Sequence, residues 1–302
     1  MASSLDRLFR PFEGTRSAYP VALFRIAFFT GLALHFFPTL LWLDESYRPG
    51  ALRTDEWNAW LFAHFWHVPH WELRVGSLVT MAACLMGVVG VFPRAAAVVS
   101  GVGFYVFASY NGLHLQTLAL VDAWAILLLW MICGGGTTVL SVEALRRKKP
   151  VPAVEPRLLA GLVLYQVLLA VFFAGVEKLL AGWPWTNEMA IVLSYPKGFL
   201  VRDWVAASPW LHSSFSTHAQ SWFTMFVELG TPSGLLFRRT RLASLVVFEA
   251  FFFGIVAMLE VPPLFYCIFA FGALLALDDD EVERARAALG RLASRARPRP
   301  KV

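Results

Sequence analysis

Residues 158–181 read LLAGLVLYQVLLAVFFAGVEKLLA. Before Glu177 the polar side chains in this stretch are Tyr165 and Gln166 alone, so almost every position suits contact with lipid or with an apolar core. A helix of this length reaches about 36 Å, whereas the hydrocarbon core of a bilayer is about 30 Å thick. The stretch therefore predicts a transmembrane helix.

Seven other apolar segments approach the same length, and the whole set predicts the fold class. They are 19–42, 75–93, 95–110, 116–133, 219–237, 242–259 and 261–277. We predict an all-α fold, a polytopic membrane helix bundle of about eight transmembrane helices with short interfacial helices in the extracytoplasmic loops. The predicted divisions are a transmembrane domain over 1–277 and a basic cytoplasmic tail over 278–302.

Composition supports a membrane protein over a soluble one. Hydrophobic residues make up 58% of the chain and charged residues 16%, whereas a soluble globular domain is usually about a quarter charged. The 12 tryptophans and 26 phenylalanines suit aromatic belts at the bilayer interfaces. The polar opening is too long and too acidic for a cleavable signal peptide, so the first apolar segment is expected to remain as a helix.

The distribution of Lys and Arg predicts the orientation. If the N-terminus is cytoplasmic and eight helices alternate in direction, the cytoplasmic side receives 19 of the 26 basic residues and the opposite side receives five. This asymmetry obeys the positive-inside rule, so both termini are predicted to be cytoplasmic. The net charge of +5 then reflects attraction to anionic membrane lipid, and no nucleic-acid partner is predicted.

Two extracytoplasmic segments, 43–74 and 182–218, are rich in Trp. The first carries the spacing H-x2-H-x2-H at His64, His67 and His70, which would leave a partial metal-binding face on a helix, but Pro69 interrupts that geometry. We therefore favour an interfacial helix or a re-entrant segment with an aromatic belt and predict no metal site. The three cysteines form no CxxC, and no P-loop or GxGxxG occurs.

Ionisable and polar residues within or beside the apolar segments are the main candidates for function, because a charge in the bilayer costs about 2.5 kcal/mol or more and needs a partner or a cavity. They are Arg25, His35, Asn111, His114, Asp122, Glu177, Lys178, Glu228 and Glu249. We expect Arg25, Lys178 and Glu228 to meet in one chamber. The alternative is a set of buried ion pairs that only fixes helix registry. Because adjacent helical residues diverge by about 100°, one of Glu177 and Lys178 should face the chamber.

Three motifs resemble the HTTM (horizontally transferred transmembrane) family, which is related to the membrane domain of vitamin K-dependent gamma-carboxylase. The first helix bears Phe24-Arg25, residues 171–190 read VFFAGVEKLLAGWPWTNEMA, and residues 226–241 read FVELGTPSGLLFRRTR. They follow the order of the family. The chain departs from the family pattern at Phe248-Glu249, where Phe-His is common, and at WPWTN, which lacks a glycine.

The resemblance implies a role for several residues. In the carboxylases a membrane-embedded lysine is the base that starts the oxidation of vitamin K hydroquinone, and by motif that lysine falls on Lys178. Asn111 and His114 are the nearest candidates for the Asn-His pair of those enzymes. Arg25, Asp122, Glu177 and Glu249 are expected to shape the pocket, with Glu228 and His114 joining Lys178 in catalysis. The cofactor implied is vitamin K or another quinone.

Three hypotheses of different classes follow. The first is a membrane-embedded enzyme, a lyase in the carboxylase sense, that acts with a quinone or another lipid-soluble molecule through Lys178. The second is a non-catalytic maturation or assembly factor for an exported peptide or protein, as some bacterial HTTM proteins are. The third is a small-solute or proton transporter that uses the same buried charges. Under each hypothesis the predicted location is the bacterial inner membrane.

Overall fold

The computed structural model describes residues 12, 14–41, 69–110, 118–134, 139–146, 154–194 and 201–296. Its fold is all-α apart from a ribbon of two three-residue strands. In chain order the elements are β1 (Thr15–Ser17), α1 (Ala18–Leu41), α2 (His70–Val89), α3 (Pro93–Tyr110), α4 (Leu118–Cys133), α5 (Val142–Arg146), β2 (Val154–Pro156), α6 (Arg157–Leu180), α7 (Trp183–Thr186), α8 (Glu188–Ser194), α9 (Asp203–Ala206), α10 (Ser214–Leu236), α11 (Arg241–Met258), α12 (Pro263–Ala273) and α13 (Asp279–Ala296).

Each of the eight apolar segments predicted from the sequence overlaps one of the helices α1–α4, α6 or α10–α12. By length and hydropathy, four helical stretches in the described part of the chain could cross a membrane: Ala18–Pro38, Trp71–Val89, Arg157–Leu180 and Arg241–Met258. Three shorter apolar helices are Pro93–Phe107, Val121–Cys133 and Pro263–Ala276. The prediction of eight spans therefore stays a prediction, while the helical bundle is confirmed.

Local sequence signals explain where several helices begin and end. Pro156, in an extended conformation, precedes α6, where a proline needs no backbone N–H. Gly182 adopts φ +76° just beyond the end of α6 and turns the chain into α7. Ser213 caps α10 by accepting a hydrogen bond from the backbone N–H of Ser216 at 3.3 Å. These signals set the positions of α6 and α10, the two helices that carry the candidate site.

An aromatic cluster holds the first helix in the centre of the bundle. Phe24 and Phe28 of α1 both stack on Trp130 of α4, with ring centroids 5.9 Å apart in each case. Phe29 meets the same indole edge-on at 5.7 Å. Such pairs contribute beyond the apolar area that they bury. Helix α1 also packs on α2 and α12, and α6 packs on α10 and α4.

The N-terminal ribbon joins the start of α1 to the start of α6. Strand β1 pairs antiparallel with β2, with Arg16 opposite Glu155. The Arg16 guanidinium donates to the carbonyls of Leu275 at 2.7 Å and Leu277 at 3.1 Å, and burial lowers the pKa of Arg16 to about 10 despite the nearby Asp279 carboxylate. The ribbon is therefore tied to the chain just after α12.

The predicted tail begins with a helix that docks on the same end of the bundle. In α13, Asp279 accepts a hydrogen bond from the backbone N–H of Ser17 at 2.7 Å. Arg241, at the start of α11, forms ion pairs with Asp278 at 2.5 Å and Glu281 at 3.2 Å. The acidic residues at the start of α13 thus make specific contacts, and the domain limit at 277 stays a prediction.

Helices α6 and α10 approach closely at Gly175. A Cβ atom there would lie 2.9 Å from Cβ of Glu228 and 3.0 Å from the Leu229 side chain, whereas a Cβ at Gly230 would meet nothing within 4 Å. We predict that Gly175→Ala destabilises the protein by about 1–3 kcal/mol through overpacking. Gly230→Ala, the matched control, should be neutral or stabilising by up to about 1 kcal/mol, because alanine favours helix.

Unfolding of the purified protein in detergent, by heat and by denaturant, measures the difference. Equal stability of the two variants would show that the helices do not cross as closely as described.

Candidate functional site

An ion pair between two apolar helices joins Lys178 of α6 to Glu228 of α10. The Lys178 Nζ lies 2.9 Å from Oε1 and 2.8 Å from Oε2 of Glu228. The two side chains are 21% and 9% exposed. Taking both charges out of water is costly, so this pair needs its close geometry to be tolerated at all.

The backbone brings the two residues together. Lys178 lies in the last turn of α6, while Glu228 lies in the middle of α10. Because Gly175 has no side chain, α10 can come close enough for Lys178, one turn further along α6, to reach the carboxylate. The Lys178 Nζ also lies 3.5 Å from the carbonyl of Ala174.

Trp183 forms a third side of the site. The Lys178 ammonium lies 5.2 Å from the centre of the Trp183 ring, a distance at which a cation is attracted to the face of an aromatic ring. Trp183 opens α7 directly after the Gly182 turn, so the end of α6 and its turn together fix the position of the indole. Lys178 is therefore held between a carboxylate and an aromatic ring.

A cavity of about 490 Å³ opens beside this pair. Its polar lining comes from Glu177, Lys178, Thr224 and Glu228, and the remaining lining side chains are apolar or aromatic. The aromatic side chains of its wall are Trp183, Phe251, Phe252, Phe265 and Phe269. Phe252 and Phe269 stack with centroids 5.0 Å apart and ring planes within 8°. The cavity thus has one polar wall and a long apolar one.

The structure does not bring Arg25 to this cavity. Its guanidinium is fully buried, donates to the carbonyl of Leu140 at 2.5 Å and lies against Gly90, where a Cβ atom would be 2.8 Å from Nη1. Glu155 and Glu143 are near enough to act on its charge. Arg25 therefore lies among the loops that join α2 to α3 and α4 to β2, far along the bundle from Lys178.

Distances along the helices support this separation. Arg157, which donates from Nε to the carbonyl of Thr15 at 2.8 Å, lies 21 residues before Lys178, or about 31 Å along α6. Arg25 lies seven residues into α1, only about 10 Å from the ribbon. The expected single chamber thus contains Lys178 and Glu228 but not Arg25.

Asp122 and Glu249 also lie outside the cavity lining. Asp122 of α4 accepts a hydrogen bond from the Gln166 amide of α6 at 2.6 Å, so it links two helices. One carboxylate oxygen of Asp122 and one of Glu249 are buried without a hydrogen-bond partner among the described residues. Glu177 lines the cavity beside Lys178, so both neighbours border it, and Lys178 makes the contact to Glu228.

Four of the predicted polar residues cannot be placed. Asn111, His114, His64 and His67 lie outside the described residues, so the expected roles of Asn111 and His114 stay predictions. His35 of α1 is described, and its ring lies 6.1 Å from the Phe104 ring, among aromatic residues and away from the cavity lining.

Several residues of the site were not predicted from the sequence. Trp183 was part of the quoted 171–190 motif, and its place directly after the end of α6 was the available signal. Thr224 lies four residues before Glu228, on the same helical face, and could have been found by that spacing. The phenylalanines of α11 and α12 gave no signal, since apolar residues are expected throughout such helices.

Comparison with known proteins identifies one family. The family model described as the HTTM domain matches residues 9–276 of the chain. No curated protein and no solved structure matches the chain.

Removing one partner of the Lys178–Glu228 pair should leave the other charged in an apolar site. We predict that Lys178→Met or Glu228→Gln lowers the free energy of unfolding by about 3 kcal/mol, and that the double variant recovers most of the loss. The control is Glu283→Gln, which breaks the exposed Arg286–Glu283 pair and should change stability little.

A double-mutant cycle in detergent, followed by denaturant unfolding, gives the coupling energy. Additive effects of the two single variants would contradict a direct pair.

Proposed function

Since the chain belongs to the HTTM family, and so is an integral membrane protein related to the carboxylase membrane domain, we propose that it is a membrane-embedded enzyme that binds a quinone or another lipid-soluble molecule and uses Lys178 as a base. One observation carries the proposal. The Lys178–Glu228 pair, together with Glu177 and Thr224, forms the polar wall of an otherwise apolar cavity.

The pair can supply a base by a short proton shift. A protonated Lys178 cannot accept a proton, but transfer of one proton across the 2.8 Å contact to Glu228 leaves a neutral amine and a neutral carboxyl group. In an apolar cavity the charged pair loses much of its advantage to desolvation, so the neutral pair becomes accessible. Glu228 thus stores the proton that Lys178 must lose before it can act.

The cavity suits a flat, lipid-soluble ring. Its volume of about 490 Å³ falls within the range of about 300–1,000 Å³ that small-molecule sites occupy. The parallel faces of Phe252 and Phe269 give the apolar wall, while Lys178 gives a hydrogen-bond donor or acceptor for a ring oxygen. A hydroquinone, when bound, supplies an acidic O–H group and reducing electrons. Lys178 would orient that group and accept its proton.

A second candidate function rests on a different surface. Trp185, Trp210 and Phe215 are 65%, 67% and 86% exposed. Trp185 lies on α7, Trp210 lies between α9 and α10, and Phe215 lies in the first turn of α10. Such aromatic residues can lie at the bilayer interface or bind an exported peptide. An assembly factor would use this surface and would keep its function in a Lys178→Ala variant, whereas the proposed enzyme would lose it.

The orientation and the eight spans also belong to the proposal. With both termini cytoplasmic, Lys178 and the short helices α7–α9 face the opposite side, because α6 begins beside the ribbon. We predict that a green fluorescent protein fused to the C-terminus fluoresces in cells and that alkaline phosphatase inserted after Ala206 is active, since most basic residues would then be cytoplasmic. An active phosphatase fused at the C-terminus would contradict this orientation.

Ligand retention tests the enzyme directly. We expect the wild-type protein, purified in mild detergent, to retain a quinone or another lipid-soluble molecule that mass spectrometry of the extract identifies. Lys178→Met should retain at least about tenfold less, because a lost charge-assisted hydrogen bond costs about 1.4 kcal/mol or more. The matched control is Asp122→Asn, which alters a buried carboxylate outside the cavity lining and should retain the wild-type amount.

The proposal fails if the wild type retains no such molecule and Lys178→Met behaves like wild type in cells.

A further inference from the structure

Helix α10 carries a buried polar stripe that continues beyond the ion pair. Its members recur at intervals of three or four residues, which places them on one face of a helix. All are nearly or fully buried: Thr217 at 0% exposed, Ser221 at 0%, Thr224 at 8%, Glu228 at 7% and Thr231 at 5%. The opposite face is apolar and outward, with Phe226 73% exposed.

The hydroxyl groups of the stripe differ in how they are satisfied. Thr231 donates to the carbonyl of Val227 at 2.6 Å, and Thr217 donates to the carbonyls of Ser213 and Ser214. These are the usual bonds of hydroxyl side chains to the preceding turn. The Ser221 hydroxyl, fully buried, has no hydrogen-bond partner among the described residues.

Burial of a hydroxyl without a hydrogen-bond partner costs free energy. If the stripe served only helix packing, an apolar side chain at Ser221 would avoid that cost.

The stripe connects the cavity to the start of α10. Thr224 lines the cavity together with Glu228, and Thr217 lies in the first turn of the helix, where Ser214 is exposed and His218 is half-buried. From Glu228 to Thr217 the helix rises about 16 Å. Beyond Glu228 in the other direction, the Thr231 hydroxyl is satisfied by the carbonyl of Val227, and Leu235 is a buried apolar residue. Thr224, which lines the cavity, and Ser221, which lacks a partner among the described residues, therefore both lie on the side of Glu228 toward the start of α10.

We propose that Thr224, Ser221 and Thr217 form a proton relay that links Glu228 to the surface at the start of α10. This inference rests on the proposed function, because it assigns a route to the proton that Lys178 accepts. The ionisable groups that face the inner end of the relay across the cavity are Lys178 and Glu177 of α6.

The relay balances one proton per turnover. Lys178, made neutral by the proton that it gave to Glu228, takes a proton from the ligand hydroxyl and becomes an ammonium. Glu228 then releases a proton toward Thr224. Side chains three or four residues apart on a helix lie about 5–6 Å from one another, so one water molecule bridges each gap. Every hydroxyl accepts one proton and donates one, and is left unchanged.

Removing single hydroxyl groups tests the relay. Thr224→Val and Ser221→Ala remove a hydroxyl with little change of shape, and Thr224→Ser keeps one. The control is Thr231→Val, which lies on the same buried face but on the far side of Glu228. Each full-length variant is purified in detergent and checked for a monodisperse elution profile. A light-triggered pH jump with time-resolved infrared spectroscopy then follows the carboxyl band that Glu228→Gln removes.

We expect Thr224→Val and Ser221→Ala to slow protonation of Glu228 by at least about tenfold, and Thr224→Ser and Thr231→Val to stay within about twofold of wild type. Equal rates in all variants, equal slowing by Thr231→Val, or the absence of a titrating Glu228 band would each overturn the relay. If the rates follow the expected order but no lipid-soluble molecule is retained, the relay stands and the proposed enzyme fails, so the two failures are distinguishable.

Discussion

Lys178 and Glu228 hold each other at 2.8 Å across two helices whose other contacts at the crossing are made by Gly175 and Leu229. This ion pair constrains the packing of the surrounding residues, because a buried charge without its partner costs a large amount of free energy. Their helices must approach closely, which requires a glycine, and the side chains around them must exclude water. The cavity, the aromatic wall and the polar stripe of α10 are arranged around this constraint.

The sequence predicted the helices well because their signal is simple. A long apolar run can satisfy its backbone in lipid only as a helix, so the eight segments and the helices coincide closely. The link between Lys178 and Glu228 was also foreseen, since each is an ionisable residue in an apolar helix and each lies in a quoted motif. The number of helices that cross the bilayer needs more than length, as the 16-residue α4 shows.

Arg25 shows what such reasoning leaves out. Because Arg25 is charged and lies in an apolar helix, we expected it in the same chamber as Lys178. Two buried groups can meet only if they lie at the same level along the axis of the bundle. Arg25 lies near the start of α1, whereas Lys178 lies near the end of α6, and both helices start at the ribbon. The alternating topology predicted from the basic residues already implied this separation. The partner of Asp122, by contrast, could not be foreseen, because Gln166 is one of many polar residues that suit a carboxylate.

The ribbon contacts α13 and the residues just before it, so segments far apart in the sequence lie together. Ser17 of the first strand bonds to Asp279 of the last helix, and Arg16 bonds to carbonyls just before it. A ribosome releases these partners more than 250 residues apart, so the Ser17 N–H remains without its acceptor until Asp279 has been synthesised. Synthesis of α13 is then the step that completes these contacts, and a nascent chain that ends before Asp279 would lack the hydrogen bond that ties β1 to α13.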